Sequence, residues 1–478
     1  MLHRLLLTLL LCGATHSVSA QGSGALGGDR SIPPTPVPVG SGARAAGMSN
    51  AFIAIADDAT AASWNPAGLV QLERPEIAVA GSLTRMRDRF DATAHPEFGD
   101  LATEDFSDLN FLSFATPLPF TIFTRNATVS LSFQRKFDFD RAFEARYATG
   151  SVAALTPPLA IGQFSRLRFD QEGSLSTISP AFAIEVTHRL SVGVALNLWR
   201  STFLSENSWT QSTHTDGLTL LGGSPILSRG ISRESYEDFS GENFTAGLLW
   251  KVNPRWSLGL RYDSAFSGAA DYTSFDLEAR LNLASPAFTP LLNVNRFSEE
   301  RRIHLPATWA VGAAWRANDR LTLALDISRT GWNGLYVKDS RGRRFSLVDG
   351  TDWSNGAQRT GFDPAWTVRL GAEYTFIPRE PGLDLPRLWT LRGGLSYEEE
   401  PASNRSSRYY FSRGDGTPDV FYGASVGVGV LLGQRVNLDL AWQLRYGPDV
   451  NRDLNPGVDG FNDDEVRHRV MLSAVFYF

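Results

Sequence analysis

The sequence has almost no cysteine. Its single cysteine, Cys12, stands in a leading segment that we expect to be removed, so the mature chain from Gln21 is expected to contain none. This excludes a disulfide-stapled secreted scaffold, a zinc site built from thiolates and an enzyme with a cysteine nucleophile.

Long apolar runs and excess positive charge are also missing. After the first twenty residues, no stretch approaches the eighteen consecutive apolar residues that a membrane-spanning helix needs. The net charge of -6 provides none of the positive surface that nucleic-acid-binding proteins use, so we expect no nucleic-acid partner. The 42% apolar and 11% aromatic content excludes a disordered chain. A membrane β-barrel remains compatible with this composition, since half of each barrel strand is polar.

The N-terminus has the features of a secretory signal peptide. His3 and Arg4 give a short basic start, residues 5–11 are almost unbroken leucine, and residues 18–20 supply small side chains at the cleavage spacing. We therefore predict a signal peptide over residues 1–20 and export from the cytoplasm.

Two short segments precede the bulk of the chain. Residues 21–40 are rich in glycine and then in proline, which predicts an extended or flexible leader. Residues 41–75 are dense in alanine and contain the sequence Asn65-Pro66-Ala67-Gly68. Alanine favours helix, and the proline and glycine interrupt it, so we predict short helical turns that end near Asn65.

From about Glu76 onward, apolar residues alternate with polar ones. The pattern is clear over residues 321–328, 425–430 and 436–446. A period of two indicates β-strands with one apolar and one polar face. The predicted fold is therefore all-β over residues 76–478.

Several of these strands follow short polar turns with an arginine at the exit. The four arginines are Arg189, Arg255, Arg320 and Arg435. Long polar stretches, at residues 205–240, 338–361 and 398–419, are interpreted as loops. Short turns at one end and long loops at the other are typical of outer-membrane barrels, with the turns on the periplasmic side.

The last residues form another alternating strand, and the chain ends on an aromatic residue. Phe476 and Phe478 belong to the apolar set of this strand. The pattern resembles the membrane-insertion signal of bacterial outer-membrane barrels. The alternative is the last strand of a soluble sandwich. A closed barrel would pair every backbone group internally, as lipid requires.

Motifs for cofactors and catalysis are weak. Residues 22–27 match G-x-G-x-x-G but follow no strand, and residues 423–427 match G-x-S-x-G but lie within an alternating strand. The histidines of the mature chain are not paired at metal-ligand spacing. We expect no cofactor, no metal site and no enzymatic activity.

The segment from Gly42 through Ala56-Asp57-Asp58-Ala59 to Trp64-Asn65-Pro66-Ala67-Gly68 resembles the N-terminal plug of the FadL-type outer-membrane transporters of long-chain fatty acids and other hydrophobic compounds. A second similar piece runs from Leu305-Pro306-Ala307-Thr308-Trp309 to Trp332. The resemblance implies a barrel of about fourteen strands in the bacterial outer membrane, closed by an N-terminal hatch (residues 41–75). It also implies that hydrophobic substrate is captured by extracellular loops, passes beside the hatch and leaves through a lateral gap in the wall.

The resemblance and the local pattern together suggest site residues. Asp57, Asp58, Asn65, Pro66 and Ala67 would belong to the hatch, where the two aspartates would pair with inward-facing basic residues. The early strands are rich in phenylalanine, and their candidate pocket residues are Phe111, Phe114 and Phe133. These three could equally be lipid-facing girdle residues.

The expected partners follow from this reading. They are a hydrophobic small molecule (a fatty acid or hydrocarbon), outer-membrane lipid and lipopolysaccharide, and the barrel-assembly machinery. The main alternative is a barrel of the same superfamily that binds proteins during assembly or secretion, a role that the leader would suit. An outer-membrane hydrolase is a weaker alternative, because no set of serine, histidine and aspartate converges in the sequence.

Overall fold

The structure is a computed structural model. It describes residues 41–92, 101–153, 159–221, 224–283, 291–345, 363–377, 387–401, 417–450 and 461–478. The predicted signal peptide and leader lie outside the described residues.

The described chain is mostly antiparallel sheet. Its helices are short: α1 (Ala43–Ala46), α2 (Ala61–Trp64) and two 3-10 helices (Pro66–Gln71 and Trp332–Gly334). None of them is long or apolar enough to cross a membrane within the described residues. The strands are β1 (Glu76–Ala92), β2 (Leu101–Pro117), β3 (Ala127–Asp138), β4 (Arg141–Ala153), β5 (Leu159–Thr187), β6 (Leu190–Trp199), β7 (Ser208–Leu221), β8 (Ser224–Asn253), β9 (Trp256–Asp263), β10 (Phe266–Asn282), β11 (Leu291–Leu305), β12 (Thr308–Arg316), β13 (Leu321–Thr330), β14 (Tyr336–Lys338), β15 (Arg344–Phe345), β16 (Ala365–Thr375), β17 (Arg387–Glu400), β18 (Asp419–Leu432), β19 (Val436–Val450) and β20 (Phe461–Tyr477).

Fourteen strands close into a barrel, as predicted. The closure is made by β1, which pairs with β2 on one side and with the last strand, β20, on the other. The circuit runs through β1, β2, β3, the second half of β5, β6, the second half of β8, β9, β12, β13 and β16–β20. Closure leaves no sheet edge in the lipid, where an unpaired backbone group would be costly.

The remaining strands form an upright sheet beyond one end of the barrel. The first halves of β5 and β8 pair with β4, β7 and β10, and β10 pairs in turn with β11. The interpretation of residues 205–240 as a loop was therefore wrong, because these residues form β7 and most of the extended part of β8. The sequence pattern did not predict these strands, because both of their faces are rich in polar residues. Apolar and polar positions therefore do not alternate along them. Parts of the other two predicted loops lie outside the described residues.

The four arginine turns all lie at one end of the barrel, here named the turn end. The carbonyl oxygens of Arg189, Arg255, Arg320 and Arg435 each accept a hydrogen bond from the neighbouring strand, at 2.7–2.8 Å. The last residue lies at the same end, where the Phe478 N–H donates to the Pro75 carbonyl at 3.0 Å. The upright sheet stands at the opposite end, here named the extension end.

The barrel is apolar outside and polar inside. On β12 and β13, Trp309 and Val311 are half-exposed on the outer surface, whereas Asp326 is 1% exposed inside. Aromatic pairs mark both borders of the outer apolar band: Trp256 stacks on Trp315 near the turn end, and Tyr262 packs on Trp309 towards the extension end. This is the arrangement expected of a barrel in a bilayer.

Candidate functional site

The hatch segment packs inside the barrel. Helix α1 contacts β18, β19 and β20, α2 contacts β3, and the following 3-10 helix contacts β5, β6 and β8. Its small side chains are almost completely buried, with Ala43, Ala51 and Ala59 at 0% exposure. The alanine-rich composition thus lets the chain fold tightly in a narrow lumen.

The barrel wall also has glycines, which lack side chains, where it contacts the hatch. At seven glycines of the described wall strands, a β-carbon would come within 3 Å of a hatch atom: Gly193, Gly247, Gly259, Gly312, Gly371, Gly394 and Gly427. The closest approach is 2.1 Å, between a β-carbon placed on Gly247 and Asn65 Oδ1. The hatch backbone therefore lies directly against the wall backbone.

Polar side chains of the wall form hydrogen bonds with backbone N–H and carbonyl groups of the hatch. Asp326 Oδ2 accepts from the N–H groups of Phe52 and Ile53, at 2.7 and 2.9 Å. The Ser425 hydroxyl accepts from the Ser49 N–H at 2.8 Å, and Gln443 Nε2 donates to the Ala46 carbonyl at 3.0 Å. These bonds pair backbone groups that the short hatch helices leave open.

Asn65 forms hydrogen bonds both within the hatch and to the barrel wall. The residue is 0% exposed, and its Nδ2 donates to the carbonyls of Ile53 and of Leu248, at 3.0 and 3.1 Å. Its Oδ1 accepts from the Ala67 N–H at 3.2 Å, and Pro66 begins the 3-10 helix. The Ala67 carbonyl accepts from the hydroxyl of Ser191 on β6 at 3.0 Å.

Asp57 and Asp58 take part in an ion cluster, and within the described part of the chain their cation comes from the hatch itself. Asp57 Oδ1 lies 2.6 Å from Nη1 of Arg44, which also belongs to the hatch. Asp58 lies just before α2, where its Oδ1 accepts from the Thr60 N–H at 2.8 Å.

The connection from this cluster to the wall runs through an acidic residue. Arg44 makes a two-pronged contact with Glu373 on β16, at 2.9 and 3.0 Å. Glu373 also accepts from Arg392, which in turn lies 2.6 Å from Asp439. The expected pairing is therefore corrected: the hatch supplies the cation and the wall supplies the carboxylate.

On the extension side of the hatch lies an aromatic cavity of about 70 Å³. The Trp199 ring stacks between Phe137 and Phe266, with ring centroids 5.6 and 5.1 Å apart. The cavity is lined by Lys136, Phe137, Asn197, Trp199, Asn243, Arg261, Asp263, Ser264, Phe266, Leu305, Pro306, Thr308, Thr330 and Trp332. Arg261 Nη1 lies 3.5 Å from the Trp64 carbonyl, so the hatch adjoins the cavity. We name this site the aromatic cavity.

The three predicted pocket phenylalanines do not meet in this cavity. Phe111 is fully buried and packs in the apolar cluster of the hatch. Phe133 is 3% exposed and pairs with Leu112 of β2, and Phe114 is 48% exposed on the outer surface. A register shift between β1 and β2, opposite Asn110, buries Asn110 and Phe111 in succession, so the alternation does not predict which side each residue faces.

The sequence reasoning missed Trp199, Trp332 and Lys136. Lys136 stands between Arg135 and Phe137, and it is only 8% exposed. A lysine within an aromatic strand was the available signal, because a charge there must face a lumen or water.

The wall changes beside the aromatic cavity. Pairing between β2 and β3 ends at Phe111 and Gln134, although β2 extends back to Leu101 and β3 forward to Asp138. Side chains cross this break: Arg135 of β3 forms an ion pair with Asp108 of β2, and its Nη2 lies 3.4 Å from Asp140. Among the described strands, this break is a part of the wall where side chains, and not backbone pairing, connect β2 with β3. It lies at the level of the cavity.

The predicted insertion residues lie at the turn end. Phe476 pairs with Ile77 of β1 and is 39% exposed, and Phe478 is 68% exposed. Their role in insertion stays a prediction.

Comparison with known proteins gives a consistent result. The sequence model of the outer membrane protein transport protein family (OMPP1/FadL/TodX) matches residues 40–452. A comparison with curated proteins found no match. The structure is similar to that of a Pseudomonas aeruginosa FadL homologue, with 16% identity, 93% of this chain and 100% of that chain covered, and a TM-score of 0.55. It is also similar to the P. putida toluene transporter TodX, with 14% identity, 92% and 99% coverage, and a TM-score of 0.52. Identities this low show a shared fold.

Proposed function

The chain belongs to the OMPP1/FadL/TodX family of outer-membrane transport proteins, and from this premise we propose that it takes up long-chain fatty acids through the aromatic cavity. The membership places the barrel in the outer membrane and its activity among channels for hydrophobic compounds. The proposal adds the substrate and the route.

The observation that carries the proposal is the aromatic cavity beside the hatch. An apolar molecule that leaves water for such a site gains about 25 cal/mol per Å² of buried apolar surface. The stacked rings of Phe137, Trp199 and Phe266 offer this surface inside an otherwise polar lumen. A water-filled porin has no comparable site, so a cavity of this kind suits a poorly soluble substrate.

The route that we propose begins at the extension end and leaves through the wall. In this proposal, substrate reaches the aromatic cavity from the extension end, and the hatch closes the turn end. The break between β2 and β3 offers a lateral exit, which would open when Arg135 releases Asp108. Two structural relatives are toluene transporters by name, so a hydrocarbon substrate is the outcome to test against fatty acid.

Uptake by proteoliposomes tests the proposal. Labelled fatty acid and labelled toluene are offered to wild type, Trp199→Ala and Trp250→Ala. Trp199 is 3% exposed within the cavity, whereas Trp250 is 45% exposed on the outer surface and serves as the matched control. We expect Trp199→Ala to lower fatty-acid uptake about tenfold, the equivalent of one lost stacking contact of about 1.4 kcal/mol.

Two results would count against the proposal. Equal uptake by wild type and Trp199→Ala would remove the cavity from the route. Uptake of toluene without fatty acid would replace the substrate. A pull-down of periplasmic proteins, with and without residues 21–40, tests the alternative role in assembly or secretion.

A further inference from the structure

Three of the four arginine turns share one local structure. In each of them, the side chain two residues before the arginine accepts hydrogen bonds from the N–H groups of the arginine and of the next residue, at 2.8–3.2 Å. The pairs are Thr187 with Arg189, Asn253 with Arg255, and Asn318 with Arg320. Bonds of this kind fix the backbone of a turn. Arginine therefore occupies the same rim position in three successive hairpins of the barrel.

The same hairpins carry two more basic residues. The Lys251 N–H donates to the Arg189 carbonyl at 2.7 Å, and the Arg316 N–H donates to the Arg255 carbonyl at 2.8 Å, so each lies beside an arginine of the neighbouring turn. We name the basic residues of segments 185–190, 250–256 and 315–321 the rim cluster: Arg189, Lys251, Arg255, Arg316 and Arg320. These segments contain two acidic residues, so the three turns have a net charge of +3, whereas the whole chain has -6.

The rim cluster has no counterions of its own. In the described part of the chain, none of its five side chains forms an ion pair, and the guanidiniums of Arg189 and Arg320 each donate to a backbone carbonyl. Exposed arginines towards the extension end differ, because they are paired at 2.6–3.0 Å. Examples are Arg85 with Asp105, Arg168 with Asp170, and Arg229 with Asp216. The positive charge at the turn end is therefore open to an anion from outside the chain.

Tryptophans lie next to the rim cluster on the outer surface of the barrel. Trp256 follows Arg255 and Trp315 precedes Arg316, and the two rings stack with centroids 5.8 Å apart and planes inclined by 16°. Trp250 precedes Lys251, and all three indoles are 38–45% exposed. Exposed tryptophans of a membrane protein lie at the level of the lipid headgroups. The rim cluster is therefore at the depth where lipid phosphates lie.

We propose that the rim cluster binds the headgroup of an anionic phospholipid in the leaflet at the turn end, which is the periplasmic leaflet in the expected orientation. A guanidinium donates two parallel hydrogen bonds to a phosphate. Since cations of neighbouring turns lie side by side, a lipid with two phosphates, such as cardiolipin, fits best. A zwitterionic headgroup has its own ammonium and needs no basic partner. This surface is separate from the aromatic cavity, so the inference holds whichever compound is taken up.

Lipid binding by the purified full-length protein tests the proposal. Tetraoleoyl cardiolipin and dioleoyl phosphatidylcholine are titrated into the protein in a neutral detergent, and bound lipid is measured by native mass spectrometry. Wild type should bind cardiolipin about tenfold more tightly, and this preference should fall with added salt. The double variant Arg255→Gln/Arg316→Gln should lose about thirtyfold in cardiolipin affinity, because each basic residue near an anionic lipid surface contributes about a factor of five.

Two matched variants separate a local site from an effect of total charge. Arg168→Gln/Arg229→Gln removes two exposed arginines that are already paired, and it should bind cardiolipin like wild type. Arg255→Lys/Arg316→Lys keeps the charge and should retain most of the affinity. Heat-modifiable migration on gels shows that each variant is a folded barrel.

Three results would overturn the role of the rim cluster. The first is equal affinity of wild type for the two lipids. The second is an equal loss of cardiolipin binding in both glutamine double variants. The third is displacement of cardiolipin by soluble glycerol phosphate at similar concentration, which would make the cluster a site for free phosphate and not for lipid.

Discussion

At the contact between hatch and wall, several wall positions have space only for the hydrogen atom that is the side chain of glycine. The wall glycines face the hatch backbone with no space for a methyl group, as at Gly394, where a β-carbon would lie 2.5 Å from the Met48 carbonyl carbon. Backbone atoms cannot move aside as a flexible side chain can. These glycines are therefore needed for a close approach and not for a turn.

Two adjacent glycines of β17 allow a matched test. In Gly394→Ala the added carbon meets Met48 and Ser49, whereas in Gly393→Ala the nearest atom is 3.7 Å away. We expect Gly394→Ala to lower the free energy of unfolding by about 1–3 kcal/mol through overpacking. Gly393→Ala should be close to neutral. Urea titration followed by tryptophan fluorescence measures both, and equal stability of the two variants would contradict the contact.

Asn65 provides the second prediction at this scale. Asn65→Ala removes the donor to the Ile53 and Leu248 carbonyls and the acceptor for the Ala67 N–H. Orphaning a buried partner costs about 1–3 kcal/mol, so the hatch should loosen by that amount. Planar-bilayer recordings should show more frequent open events. Asn253→Ala, at an exposed turn, is the control, and identical recordings for the two variants would exclude this role of Asn65.

The sequence could predict some of these residues and not others. Asn65 was identifiable because a residue before proline is biased to extended backbone, which ends the preceding helix, and Asn65 indeed has φ -155° and ψ 101°. The burial of Phe111 was not predictable, since a register shift opposite Asn110 buries two successive residues of β2. Lys136 required the structure, because the other residues of the aromatic cavity come from seven strands that are distant from it in the chain.

At the scale of elements, the alternation of apolar and polar residues predicts a strand only where the two faces of the strand lie in different environments. Strand β12, with Trp309 and Val311 towards lipid, was recognisable. The upright sheet was not, because Thr210, Ser212 and His214 of β7 give no apolar face. Strands with two polar faces are held together by backbone hydrogen bonds between neighbouring strands, as in the thirteen-residue pairing of β4 with β5. The element order and barrel closure were therefore predictable, and the length of the extended strands was not.

The orientation of these elements in the membrane is a further prediction. The turn end should face the periplasm and the upright sheet the outside, since short turns are periplasmic in such barrels. An epitope tag between β7 and β8 should be accessible on intact cells. A tag after Asp319, in the turn that ends at Arg320, should become accessible only after the outer membrane is permeabilised. Surface labelling at Asp319 would reverse the topology.

At the scale of the whole molecule, the lumen has two unlike sides. The aromatic cavity draws on β3, β6 and β8–β13, whereas β16–β20 carry ion pairs such as Arg369 with Glu398 and Arg445 with Glu400. The hatch touches both sides, through Trp64 near Arg261 and through Arg44 with Glu373. A segment fixed at both sides can close the lumen without covalent attachment to the opposite wall.

Removal of the hatch tests whether it closes the barrel. Deleting residues 41–71 takes away Arg44, Asn65 and the alanine-rich turns, but it leaves every strand ladder, including the closure between β1 and β20. The barrel should therefore still insert, because its backbone groups stay paired. We expect a large increase in planar-bilayer conductance and increased leak of small polar solutes, together with poor selective uptake of fatty acid. Full-length protein is the control. If both proteins show the same low conductance, the segment does not block the lumen and acts only as a periplasmic tether.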